Sequence, residues 1–327
     1  MINNNTILIT GGTGSFGKRM LYSLLTLYKP KKVIIFSRDE LKQSELEKKL
    51  TNKMLSKVRF FIGDVRDLER LNLAFQGVDI VIHAAALKQV PSTEYNPTEA
   101  IKTNIIGAQN IISASLLNNV KKTIAISTDK ASSPINLYGA TKLVSDKLFV
   151  SANNIVGKNK ISFAVVRYGN VMFSRGSVIP IFLKQYSNNN TFTITDESMT
   201  RFNITLDEGV FFVLNSLQKM KGSEIFIPKL SSYRVIDLIK AISKNPKIKL
   251  IGLRPGEKIH EELISHADSI YTKEYKNYYT IFPSTSKKQI NKKSFSYNSK
   301  DNINFLKVSE LKIIINNELG KFKFENY

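Results

Sequence analysis

Thr6-Ile7-Leu8-Ile9-Thr10-Gly11-Gly12-Thr13-Gly14-Ser15-Phe16-Gly17 is a short apolar run that feeds directly into a glycine turn. Its first five residues are β-branched or apolar, the composition of a buried strand. After the turn, Met20, Leu21, Leu24, Leu25 and Leu27 recur at helical spacing as far as Lys29-Pro30. Strand, glycine turn and helix in immediate succession is the setting in which such a turn binds phosphate. Glycines let the backbone bend tightly and approach a pyrophosphate, which then lies where the unpaired N–H groups and dipole of the helix favour an anion. The turn reads equally as Gly12-x-Gly14-x-x-Gly17 and Gly11-x-x-Gly14-x-x-Gly17, with Thr13, Ser15 and Phe16 as intervening candidate contacts.

The alternation continues downstream. Val33–Phe36, Arg59–Val65, Val78–Ala86, Thr123–Ile126 and Ser162–Tyr168 read as further strands, separated by helical patterns. This spacing predicts an α/β fold, a doubly wound parallel sheet, with a smaller α/β C-terminal lobe. The expected division is a dinucleotide domain over 1–168 and a substrate lobe over 169–283 that partly returns to the main core. A tail over 284–327 carries a short closing helix from Ser309 and ends in residues expected to be disordered. Its Ser284–Ser299 portion, rich in Lys, Asn and Ser, is expected to be irregular.

Within that frame the strand ends carry the binding candidates. The residue closing the second strand meets the adenine-side ribose. An acid there suits the free 2′-hydroxyl of NAD, and an arginine the 2′-phosphate of NADP. Ser37, Arg38 and Lys42 favour NADP over NAD, while Asp39 dissents unless it only starts the next helix. Asp64, followed by Val65, can reach an adenine amino group. Ala84 and Ala85 are small enough for a flat cofactor to lie against the backbone. Lys88 can meet a phosphate or substrate, Asn104 is a buried polar candidate, and His83 reads as structural rather than metal-binding. Three polar loops contribute Arg175, Arg201 and Arg254, suited to a diphosphate-bearing substrate.

The chemistry concentrates in Ser127-Thr128-Asp129-Lys130-Ala131-Ser132-Ser133-Pro134-Ile135-Asn136-Leu137-Tyr138-Gly139-Ala140-Thr141-Lys142. Tyr138 and Lys142 are four apart and share one helix face. An ammonium beside a phenol is expected to pull its pKa from about 10 toward neutrality, which suits a tyrosine that exchanges a proton.

Composition sets the outer bounds. The chain of 327 residues is 42% hydrophobic and 23% charged and has no cysteine, so it has neither a disulfide frame nor a thiolate metal site. No apolar run approaches the roughly 20 residues of a membrane span, and the start lacks a basic, then apolar, secretory pattern. A cytoplasmic protein without membrane insertion is expected. The net charge of +21 invites nucleic acid, but the lysines are scattered and not interleaved with aromatics, so an anionic small ligand is the preferred reading.

Taken together, the TGGTGSFG turn, Asp64-Val65 and the Tyr138-x-x-x-Lys142 pair resemble the extended short-chain dehydrogenase/reductase superfamily. More closely, SRDELKQ (37–43), HAAALKQVP (83–91), STDKASSPINLYGATK (127–142), RYGNVMFSRGSVIP (167–180), TRF (200–202) and GLRPGEKIHEEL (252–263) resemble the inverting UDP-N-acetylglucosamine 4,6-dehydratases that begin pseudaminic acid synthesis. That resemblance implies NADP at the glycine turn, Ser37, Arg38, Lys42 and Asp64. It implies catalysis by Thr128, Asp129, Lys130, Tyr138 and Lys142; among these Lys130 is expected to act as base and Asp129 as acid, with Tyr138 assisting. It also implies a UDP-sugar held by Lys88, Asn170, Arg175, Val178, Arg201, Arg254 and Glu257, no metal, and a homo-oligomer. Retaining sugar-nucleotide dehydratases are similar but carry Asp-Glu where this chain has Asp129-Lys130. Related inverting capsule enzymes lack the tyrosine. A UDP-sugar 4-epimerase and a non-catalytic NADP-binding protein are the alternatives.

Overall fold

The computed structural model describes residues 2–158, 160–174, 176–284 and 289–326, with side chains described as far as residue 320. Six parallel strands, β1 (Thr6–Thr10), β2 (Lys32–Ser37), β3 (Val58–Ile62), β4 (Ile80–His83), β5 (Lys122–Thr128) and β6 (Ser162–Tyr168), form most of one sheet. They lie in the order β3-β2-β1-β4-β5-β6, continued by Ile225–Pro228, Tyr278–Ile281 and Thr272–Glu274 to make nine strands. The last two run antiparallel. Every residue of β1 is buried, as is expected of a central strand covered on both faces. The order reverses between β1 and β4, and the crevice at that switch point, beyond the strands' carboxyl ends, is where this architecture binds ligands.

A second apolar cluster gathers Phe182, Phe192, Tyr233, Leu238 and Ile239. Its elements are the helices Val178–Asn189 and Val235–Ile242 and two paired-strand sets, Thr200–Asn203 with Ser231–Arg234 and Thr191–Ile194 with Lys247–Leu250. The closing helix is longer than expected, Val308–Asn326, and it is part of this cluster through Leu311 and Ile315. Residues 285–288 of the stretch expected to be irregular, and Tyr327 at the end expected to be disordered, lie outside the described residues. Within the rest of that stretch, Tyr297–Asn298 pairs with Glu262–Ile264, so it is not irregular throughout.

A largely buried ionic network centres on Arg167 of β6. Arg167, 1% exposed, reaches Asp146 at 3.2 Å and Asp268 at 3.3 Å and donates to the Leu263 carbonyl. Asp146 accepts in turn from the Ser127 hydroxyl at 2.9 Å. The network ties the end of β5 to the downstream segment around Leu263 and Asp268. Among the described residues no helix is long and apolar enough to cross a membrane.

Candidate active site

A cleft of about 1060 Å³ opens over the carboxyl ends of β1, β4, β5 and β6. Its dinucleotide end is shaped by backbone. Gly11 has φ +67°, and an added Cβ would lie 3.0 Å from the Ala84 carbonyl group. An L side chain is strained there and would crowd the strand end against which a flat ring lies. Gly14 caps the helix Ser15–Leu27 without a side-chain hydrogen bond, leaving first-turn N–H groups for an anion. Thr103 lines the same cleft with a buried hydroxyl that has no partner. These features fit a nicotinamide dinucleotide. Gly11→Ala is expected to weaken dinucleotide binding about tenfold or more, since such backbone strain costs about 1–3 kcal/mol; fluorescence titration with NADPH checks it.

Gly11, residues 13–17, Ser37, Arg38, Lys42, Asp64, Val65, Ala84, Ala85 and Lys88 all line this cleft. Ser37 Oγ accepts from Gln43 at 3.0 Å, and Arg38 is exposed beside Asp64, 3.5 Å away. Burial pushes the Asp64 carboxyl up, but its bonds to Arg66 and the nearby Arg38 outweigh that and hold its pKa low. Asp39 caps the helix Glu40–Lys48 through the Lys42 N–H at 3.0 Å and pairs with the Lys42 ammonium. Its carboxylate therefore does start the next helix. His83 is a core residue, its Nδ1 2.8 Å from Thr10 Oγ1, with burial pushing its pKa down to about 3.

The catalytic candidates meet where β5 ends. Asp129–Ala131 is a single 3₁₀ turn after Thr128, and Asn136 caps the helix Leu137–Ser151 by accepting from the Gly139 N–H. Gly139 lets the two come together, because a Cβ there would collide with the Lys130 carbonyl. Thr128 Oγ1 donates to Asp129 Oδ1 at 2.9 Å, and Lys130 Nζ donates to the same oxygen at 3.1 Å. Lys130 Nζ also donates to Asn170 Oδ1 at 3.0 Å and pairs with Glu261 Oε1 at 3.1 Å. Thr128, Lys130, Tyr138, Lys142, Asn170 and Val178 line the cleft; Asp129 is fully buried behind it.

Two electrostatic expectations are corrected. Burial pushes the Tyr138 phenol up to about 12 rather than toward neutrality. The groups that oppose this are the Lys130 charge and the nearby Thr128 hydroxyl. Lys142 instead donates to the Ile126 carbonyl at 2.7 Å, its own pKa drawn down by burial against the pull of Asp146. A lysine base has to be neutral, but burial of Lys130 is outweighed by Asp129 and Glu261, so its pKa lies above the ordinary value. At rest it is an ammonium. Asp129 is pushed up by burial and by Glu261, with Lys130 opposing.

The substrate-side residues divide. Arg201 is buried, donates to the Thr200 and Ile259 carbonyls at 2.7 and 2.9 Å, and stands 3.7 Å from Glu261. It therefore braces the site from behind instead of lining it. Arg254 is exposed on a loop whose Gly256 carbonyl accepts from Asn136, and its N–H donates to Glu257 at 3.3 Å. Neither Arg254 nor Glu257 lines the described cleft. Arg175 lies outside the described residues. Sequence reasoning missed Glu261, within GLRPGEKIHEEL, and Tyr233, which lines the cleft from the second cluster. The available signal was the adjacent Glu261-Glu262 opening an apolar strand, where alternation sends one of them inward.

A doubly wound dinucleotide fold with Thr128, Tyr138 and Lys142 over one crevice defines an enzyme of the extended short-chain dehydrogenase/reductase class. The chain belongs to the polysaccharide biosynthesis protein family, whose model matches residues 7–283. It is 52% identical to a protein of Campylobacter jejuni named UDP-N-acetylglucosamine 4,6-dehydratase (inverting), over 98% of this chain and all of that one. It is 45% identical to a Rickettsia bellii protein named UDP-glucose 4-epimerase, over 86% of this chain and 84% of that one. Among solved structures, Pen from Bacillus thuringiensis superposes with a TM-score of 0.90 at 40% identity, covering 97% of this chain and 98% of its own.

Proposed function

We propose that this chain dehydrates UDP-N-acetylglucosamine across carbons 4 to 6 with inversion at carbon 5, giving UDP-2-acetamido-2,6-dideoxy-β-L-arabino-hex-4-ulose. NADP is the proposed cofactor, held by the glycine turn, Ser37, Arg38, Lys42 and Asp64. The reaction begins pseudaminic acid synthesis for flagellin and surface glycans, in the cytoplasm, in a homo-oligomer. One observation carries the reading: Asp129 and Lys130, an acid and an amine sharing a proton, adjoin Tyr138 and Thr128 at one cleft.

When bound, the dinucleotide supplies a reversible hydride acceptor. Tyr138, beside Thr128, acts as the phenolate: its own proton goes first to solvent, the Lys130 charge stabilises the anion, and the anion then takes the proton of the sugar 4-hydroxyl. The resulting 4-ketone acidifies carbon 5. Transfer of the Lys130 proton across 3.1 Å to Asp129 leaves a neutral amine and a carboxylic acid. The amine removes the carbon 5 proton, and the acid delivers its proton to the departing 6-hydroxyl, which leaves as water. The hydride that the bound dinucleotide would hold returns to carbon 6, and carbon 5 takes, on the opposite face, the proton that Tyr138 received, which restores the phenolate. Asn170 holds Lys130 at the cleft edge.

Incubation with UDP-N-acetylglucosamine and mass spectrometry of the product tests this. Loss of one water supports it; an unchanged mass with carbon 4 inverted makes the chain a 4-epimerase, which needs no Asp129–Lys130 pair; an unchanged substrate makes it non-catalytic. Lys130→Ala is expected to stop water loss. Full dehydration by that variant removes Lys130 from the role of base.

A further inference from the structure

The segment from Lys258 to Glu262 closes over the catalytic turn by an arrangement that the reaction scheme leaves unused. Two consecutive glutamates grip the same turn from different directions. Glu262 accepts from the Ser132 hydroxyl at 3.0 Å and the Ser133 hydroxyl at 2.6 Å, and Ser133 is held at φ +43°. Lys258 Nζ donates to the Ser132 carbonyl at 2.6 Å. Glu261 turns the other way. It is 2% exposed, its Oε1 stands 3.1 Å from Lys130 Nζ, and its Oε2 is buried without a hydrogen-bond partner. Its own N–H donates to Ser299 Oγ at 2.9 Å, which fixes the backbone from which it reaches.

A buried carboxylate with one oxygen unsatisfied is costly, and it persists where a charge partner compensates. For Glu261 the partners are Lys130 and, more distantly, Arg201 at 3.7 Å. The groups facing Lys130 are the carboxylates of Asp129 and Glu261, the cations Arg201, Lys88 and Lys258, and the phenols of Tyr138 and Tyr233. Of the two carboxylates, Asp129 is the one that exchanges a proton with Lys130 in the proposed dehydration. The other remains an anion throughout, held below the ordinary carboxylate range because Lys130 and Arg201 outweigh its burial.

We propose that Glu261 is a positioning residue that retains the shared proton on the Asp129–Lys130 pair and keeps the Lys130 ammonium directed at Asn170 and the cleft. The inference rests on the dehydration reading above. Without the Glu261 charge, the three neighbouring cations act on Lys130 against Asp129 alone, and the pair surrenders its proton at lower pH. Glu261 therefore extends the enzyme's working range toward alkaline pH without touching the substrate.

The test compares the full-length wild type with Glu261→Gln, which conserves shape and removes charge, and Glu261→Asp, which conserves charge. Each is assayed for water loss from UDP-N-acetylglucosamine across pH with NADP present. In parallel, 15N NMR follows Lys130 Nζ, assigned by its absence in Lys130→Ala. The expected result for Glu261→Gln is an alkaline limb of kcat moved about one unit or more to lower pH, matched by the Lys130 titration. KM is expected to change less than about twofold, because no ground-state contact is removed. Glu261→Asp is expected to restore most of the wild-type profile. An unmoved alkaline limb and an unmoved Lys130 titration overturn the proposal, as does a uniform loss at every pH with a raised KM. If Glu261→Gln fails to fold, Glu261→Asp decides, since retention of the wild-type limb supports the charge role and its loss refutes it. Should the wild type itself release no water, the dehydration reading fails, while the NMR titration still decides whether Glu261 governs the Lys130 proton.

Discussion

Replacing Tyr138 by phenylalanine is expected to stop the reaction at its first proton transfer while leaving the dinucleotide bound. The phenol is buried against Thr128, with Lys130 as the cation acting on it, and its pKa of about 12 means that the resting group carries a proton that it gives up to solvent before it acts as base. Phenylalanine fills nearly the same volume, so the helix Leu137–Ser151 and its contact with the catalytic turn are retained. What disappears is the single oxygen able to receive the 4-hydroxyl proton. General acid–base groups of this kind contribute about 10²–10⁴-fold, and product formation should fall by at least that range. Single-turnover measurement of NADPH absorbance, beside NADPH titration of the same preparation, separates the two effects. If Tyr138→Phe loses cofactor binding instead, the residue is structural.

The largest expected effect on stability comes from Arg167→Leu. Arg167 is among the largest fully buried side chains, and its guanidinium faces Asp146 and Asp268 and the Leu263 carbonyl. Removing the cation leaves Asp146 buried and unpaired, a situation that costs about 3–5 kcal/mol. Against a total stability of about 5–15 kcal/mol this is a large fraction. Urea unfolding should show the midpoint drop with little change in slope. Replacing Asp146 by leucine in the same chain should recover much of the loss, because the orphaned charge goes with it. The double variant should nevertheless work poorly, since Ser127 then loses the acceptor that anchors the residue preceding Thr128.

The fold was legible because its determinants are local. β1, the glycine turn and the helix behind it arise from one continuous stretch, and β6 occupies the residues that its apolar run predicts. Asn136 as a helix cap could likewise be read from residue type and position. The gathering of Thr128, Lys130, Tyr138 and Lys142 at one cleft was also legible. Its electrostatics were not, because these depend on groups remote in sequence. The i,i+4 spacing of Tyr138 and Lys142 suggested that the lysine tunes the phenol, yet the Ile126 carbonyl claims Lys142 and burial dominates Tyr138. Lys130 looked free to become a neutral base until Glu261, far downstream, came within 3.1 Å. Arg201 illustrates the same limit: a basic residue in a polar stretch could face a ligand, but pairing of Thr200–Asn203 with Ser231–Arg234 buries it.

The segment Lys102–Ile106 is wound as a π-helix between Pro97–Ile101 and Gly107–Leu117. Such a turn accommodates one residue more than an α-helix does. Here it directs Asn104 inward, where the amide accepts from the Leu87 N–H at 2.8 Å and donates to the Leu87 carbonyl at 2.9 Å and to Thr141 at 3.0 Å. Deleting a single residue would regularise the rod and remove the bulge that carries Asn104. Asn104 would swing away, and the Leu87 loop and the helix bearing Tyr138 would lose their shared peg. A protein engineer who transplanted the reacting side chains onto a straight scaffold would thus reproduce the chemistry's inventory and lose its alignment, so the irregular winding must travel with the graft.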